Sequence, residues 1–153
     1  MGNPKRSLDP FNFASEEDHP QFVSAAARGL SILRCFEYGE QFLGNREIGL
    51  RTGLPKPTVS RLTFTLTTLG YLSYSPVHEK YALGPVLLSM GHAFVRCNPV
   101  IELARPLLAQ CAEDLGATVM LGAPDGLRMV LLAIARADDC PDLHLEPGTR
   151  VPH

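Results

Sequence analysis

The stretch Thr52-Gly53-Leu54-Pro55-Lys56-Pro57-Thr58-Val59-Ser60-Arg61-Leu62 decides the reading of this chain. A glycine after a helical run ends a helix in a left-handed turn that strains any residue bearing a Cβ, and Gly53 stands at such a place. Leu54-Pro55 then redirects the chain, and helical periodicity resumes at Pro57, whose ring suits a first helical turn. Two helices joined by so short a turn form a helix-turn-helix. In the second helix Val59, Leu62, Leu66 and Leu69 make an apolar stripe, which turns Ser60, Arg61, Phe64, Thr65 and Thr68 toward other faces.

The flanks extend this unit in both directions. Upstream, residues 46–52 read as the first helix of the pair, with Gly44 as a permissive cap, Glu47 in the first turn and Ile48 facing inward. A support helix begins near Val23, where Val23, Ala26, Ala27, Leu30 and Leu33 recur at helical spacing, and Gly39 is its expected stop. Residues 1–21, with three prolines and little apolar periodicity, are an extension without a fold of their own. Downstream, Gly70 closes the third helix, and Leu72–Tyr74 and Lys80–Leu83 read as two short strands around a turn at Ser75–Glu79. The order helix, helix, turn, helix, hairpin predicts a winged helix-turn-helix over residues 22–83.

A different pattern follows. Residues 84–97 predict a linker helix with Val86, Leu87, Met90 and Phe94 on a stripe that needs a partner surface. Asn98-Pro99 caps the next helix, in which Val100, Leu103, Ala104, Leu107, Leu108, Cys111 and Leu115 repeat until Gly116. Two apolar runs, Ala117–Ala123 and Leu127–Ala137, flank a turn at Pro124-Asp125-Gly126, and Leu143–Glu146 reads as the start of another strand. The whole is mainly α with a β wing, followed by an α+β segment over 98–153 that is too short for a complete regulatory domain.

Composition narrows the function classes. An apolar fraction of 45% is ample for a folded core and argues against disorder. The densest apolar run, Met129–Ala135, falls far short of the ~20 residues that cross a bilayer, and the acidic start is no secretory signal, so a soluble cytoplasmic protein without a membrane partner is expected. Cys35, Cys97, Cys111 and Cys140 show no paired spacing, and His19, His78, His92, His144 and His153 are equally scattered, so no metal, cofactor or catalytic residue is predicted. The net charge of −2 conceals a segregation: residues 22–96 hold eight basic and four acidic side chains, whereas residues 97–153 hold four and eight. Attraction to phosphates depends on where charge lies, and the basic segment coincides with the helix-turn-helix.

The third helix carries the chemistry. Its start can enter a major groove while Leu62, Leu66 and Leu69 anchor it to the body. Arg61 can donate two hydrogen bonds to guanine, or can form a surface salt bridge with Glu47. Lys56 suits a phosphate or guanine, and Thr58, Ser60 and Thr65 suit phosphates or base edges. Phe64 fits a thymine methyl or sugar, or packing against a helix or a dimer partner. Arg46 and Lys80 are phosphate ligands from the second helix and the wing, with Arg51 weaker.

These features resemble the N-terminal half of the IclR family of bacterial transcription regulators. The resemblance covers about residues 22–152 and rests on Ala27-Arg28-Gly29-Leu30-Ser31-Ile32-Leu33, Glu47-Ile48, the run from Thr52 to Leu62, Leu69-Gly70-Tyr71-Leu72 and Tyr81-Ala82-Leu83-Gly84. It implies binding of double-stranded DNA by a homodimer or tetramer, as repressor or activator, and a GAF-like domain that senses a small organic acid from a catabolic pathway. Recognition falls on Pro55–Thr65, the wing on Leu72–Leu83, and residues 98–153 become a partial effector-binding domain, with Gly148-Thr149-Arg150-Val151-Pro152 as the family's Gly-x-Arg-x-Pro segment. The effector-binding residues are unknown, and a chain that breaks off here is expected to bind DNA without responding to the effector. Gly44, Asn45 and Gly49 depart from a usual hydroxyl residue, leucine and alanine. Two other functions compete: a winged-helix protein-interaction module without DNA binding, and an enzyme using Glu113, Asp114, Asp125, Asp138, Asp139 and Asp142, whose spacing is more simply that of acidic turns.

Overall fold

The computed structural model describes residues 21–37, 39–141 and 143–152, so the extension assigned to residues 1–21 lies outside the described residues except at Gln21. Three helices, α1 (Ser24–Arg34), α2 (Asn45–Thr52) and α3 (Lys56–Thr68), precede the antiparallel hairpin β1 (Leu72–Ser75) and β2 (Lys80–Leu83). Gly53 has φ +69°, the left-handed conformation expected of the turn between α2 and α3. Ile32, Phe36, Leu43, Ile48, Val59 and Leu72 form the buried core of this part, with Leu54, Leu62, Leu66 and Tyr81 packed around it. Leu43 also exchanges two 2.8 Å backbone hydrogen bonds with Tyr81, adding a third short rung to the wing. Nothing in the local pattern around Leu43 announces this pairing.

The predicted apolar faces of the helices are corrected in three places. Helix α1 ends at Arg34 rather than near Gly39, and it buries Gly29 and Ile32 while Leu30 is 59% exposed. Apolar residues lie all round this helix, and α2 and α3 select the face that carries Ile32. In α3 the buried partner of Val59 is Thr63, whereas Leu69, assigned to the stripe, is 58% exposed. Thr63 tolerates burial because its hydroxyl lies 2.9 Å from the Val59 carbonyl and 3.3 Å from Asn45 Oδ1.

Helix α4 (Val86–Cys97) buries no residue, and α5 (Pro99–Leu115) follows directly. Asn98 Oδ1 caps α5 by accepting from the Val100 and Ile101 amides at 3.0 and 3.4 Å. On α5 the protected face is Ile101, Ala104, Leu108 and Ala112, while Val100, Leu103 and Leu107 are exposed. A sheet of order β3-β4-β5 covers that face, built from β3 (Val119–Asp125), β4 (Arg128–Ala135) and β5 (Arg150–Pro152), all antiparallel. Pro124 and Asp125 belong to β3, so the turn is the pair Gly126-Leu127, with Gly126 at φ +63° and Asp125 opposite Arg128. A two-residue turn led by glycine matches strand twist better than a longer one at Pro124. The strand expected at Leu143–Glu146 is irregular chain, and the third strand forms instead at Arg150–Pro152.

Candidate nucleic-acid interface

Helix α3 presents its first turns to solvent because Pro55, in extended conformation, turns the chain and the Thr58 and Val59 amides bond back to its carbonyl at 2.9 and 3.0 Å. Lys56, Ser60, Arg61, Phe64 and Thr65 are exposed on this helix, Thr58 is half-buried, and Phe64 reaches 72% exposure. The Thr65 hydroxyl donates to the Arg61 carbonyl at 2.9 Å, which leaves its lone pairs outward in this rotamer.

The cations separate into two groups. Among the described residues Lys56, Arg61 and Arg46 take part in no ion pair. The salt bridge considered for Arg61 with Glu47 is not formed, because Glu47 belongs to Lys80. Lys80 Nζ lies 3.1 Å from Glu47 Oε2, tying the wing to α2. The same carboxylate oxygen accepts from the Gly44 amide at 2.7 Å, and that hydrogen bond, followed by Lys80, holds the Glu47 pKa below its ordinary value. Arg51 is likewise committed: it pairs with Glu40 and donates to the Cys35 carbonyl at 2.8 Å, fastening the end of α2 to the segment after α1.

One basic residue went unread in the sequence as a ligand. Arg28 of α1 shares with Thr58, Arg61 and Thr65 a shallow groove of about 260 Å³, so two arginines line one cleft between α1 and α3. Ser60, Arg61, Phe64 and Thr65 line an adjoining depression of about 360 Å³. The signal available was Arg28's place on the support helix; which groove it would line depends on the crossing of α1 and α3.

The geometry has a counterpart in a family model, the IclR helix-turn-helix domain, which matches over residues 25–76. Residues 25–76 are an IclR helix-turn-helix domain. The chain is similar to the transcriptional regulator TsaQ1/TsaQ2 of Comamonas testosteroni, with 40% identity over 139 residues, 90% of this chain and 50% of that protein. It is 28% identical to the Pca regulon regulatory protein of Pseudomonas putida, over 87% of this chain and 45% of that one. The crystal structure of an IclR family transcriptional regulator from Brucella abortus superposes with a TM-score of 0.82 at 40% identity, covering 97% of this chain and 56% of that one. The IclR-type fold thus extends through the α+β part. The chain spans about half the length of the curated relatives it matches. These relatives are transcription regulators, not enzymes, and among the described residues no helix is long and apolar enough to cross a membrane.

Proposed function

We propose that this chain binds duplex DNA sequence-specifically, with α3 in the major groove, and regulates genes of a catabolic pathway for a small organic acid. The observation that carries the reading is the exposed start of α3 on an IclR-type scaffold, where Lys56 and Arg61 are unpaired among the described residues and Arg61 shares a groove with Arg28. Arg61 reads a base edge, Lys56, Arg28 and Arg46 hold phosphates, and Thr58, Ser60, Phe64 and Thr65 complete the contact. Lys80 joins them once a phosphate competes with Glu47. Residues 22–83 form the DNA-binding unit, 84–97 the linker and 98–153 part of the effector-binding domain. One recognition helix spans only a few base pairs, so a homodimer on an imperfect palindrome, or a tetramer, is the acting species in the cytoplasm. The exposed apolar residues Leu88, Met90 and Phe94 of α4 offer surface for such an assembly.

Selection of duplexes from a random pool, followed by titration of the selected site across salt concentrations, tests the reading. A complex that prefers the selected sequence and weakens steeply with salt supports it. Loss of any salt-dependent complex would instead favour the protein-interaction module.

A further inference from the structure

The buried core of the helix-turn-helix part does not include the buried residues of the α+β part. The core around Ile32 and Val59 has Tyr81 packed against it, and the buried residues beyond it are Ile101, Ala112, Leu131 and Ala133. Charge crosses the junction between the two parts. Arg34, in the last turn of α1, pairs with Asp125 at the end of β3, and Glu37, three residues on, lies 4.0 Å from Arg128 at the start of β4. Asp125 and Arg128 face each other across the Gly126-Leu127 turn. A cation and an anion on the α1 side therefore meet an anion and a cation on the hairpin tip. Arg150 of β5 holds the other Asp125 oxygen at 3.1 Å, and Asp125 is the least exposed of the five side chains at 21%.

The geometry points to an electrostatic clasp, Arg34 and Glu37 against Asp125 and Arg128, that sets the orientation of the effector-domain hairpin on the DNA-binding unit and is the device through which one part biases the other. Exposed ion pairs taken singly shift an equilibrium by up to about fivefold. Two pairs of complementary sign across the junction, Arg34–Asp125 and Glu37–Arg128, with Arg150 on the same Asp125 carboxylate, favour one docking over its alternatives, yet exposed pairs of this kind remain weak enough to release. A contact of that kind is what a two-state coupling needs, since an effector can shift only states of comparable free energy. The regulatory meaning rests on the function proposed above, while the clasp itself is measurable without DNA or effector.

The test is the distance distribution between spin labels carried by non-natural residues at Leu50 of α2 and Leu115 of α5, both exposed, in the full 153-residue chain. A single narrow distribution at low salt that broadens at high salt is expected. Arg34→Gln and Asp125→Asn should each broaden it at low salt, and the double variant should broaden it no further than Asp125→Asn alone, because the contact of Arg34 across the junction is already lost there. A distribution that is broad from the start, that ignores both substitutions, or that changes additively overturns the clasp. Because the two substitutions lie on different elements, agreement between them, with unchanged circular dichroism, excludes local misfolding as the cause. DNA titrations of the same variants stand apart: if the unsubstituted chain binds no DNA, the function fails while the clasp is judged by the distances alone.

Discussion

Gly84 lies so close to Gly70 that a Cβ on Gly84 would stand 2.0 Å from the Gly70 carbonyl oxygen. Gly70 itself has φ +79°, and the Gly84 amide donates to the Tyr71 carbonyl at 2.8 Å. The chain just after α3 and the chain just before α4 are thereby pressed backbone to backbone. Gly84→Ala forces them apart, and overpacking of this kind costs about 1–3 kcal/mol or more. Chemical denaturation should show a lowered midpoint, and a stability equal to that of the unsubstituted chain would refute the close approach.

Arg61 and Arg28 share one groove but are assigned different partners. Arg61→Ala should cost roughly 1–3 kcal/mol on the selected site and relax the preference at one base pair. Arg28→Ala should weaken all sequences alike and lower the salt slope by about one unit, the signature of a lost phosphate contact. Anisotropy titrations on matched and mismatched duplexes distinguish the two. Identical behaviour of both variants would contradict the division of roles.

Lys80 is held by Glu47, and releasing it should strengthen DNA binding. Glu47→Gln keeps an acceptor for the Gly44 amide while removing the negative charge that occupies Lys80. Affinity should rise at low salt, with a salt slope steeper by up to about one unit. An unchanged slope would show that Lys80 does not reach the duplex.

Stability in acid should depend on Glu40. Its hydrogen bond to Arg51, with a further one from the Glu37 amide at 3.1 Å, lowers its pKa from 4.5 to about 2. A carboxyl group whose folded pKa is depressed stabilises the protein fully above its unfolded value, and this contribution disappears as pH falls from 4.5 through about 2. Urea midpoints measured at neutral pH and near the lower bound should therefore differ less in Glu40→Gln than in the unsubstituted chain. Equal acid sensitivity of the two proteins would show that the pair contributes nothing.

The sequence by itself determined the helix-turn-helix, because its signals are local: the left-handed turn at Gly53, the prolines at the start of α3 and the alternation of the wing each act within a few residues. It also placed Lys56, Ser60, Arg61 and Phe64 on the exposed side of α3, since periodicity fixes which residues share a face. Tertiary structure alone decided which of two apolar faces is buried in α1 and α5, because both helices carry apolar residues on more than one side and only a packed neighbour can choose between them. The same holds for charge: Lys80 with Glu47, Arg51 with Glu40 and Arg34 with Asp125 are separated by 33, 11 and 91 residues. Partners so distant in the chain leave no periodic trace, and a cation's role as structural tie or free ligand is settled only where folding brings an acid beside it.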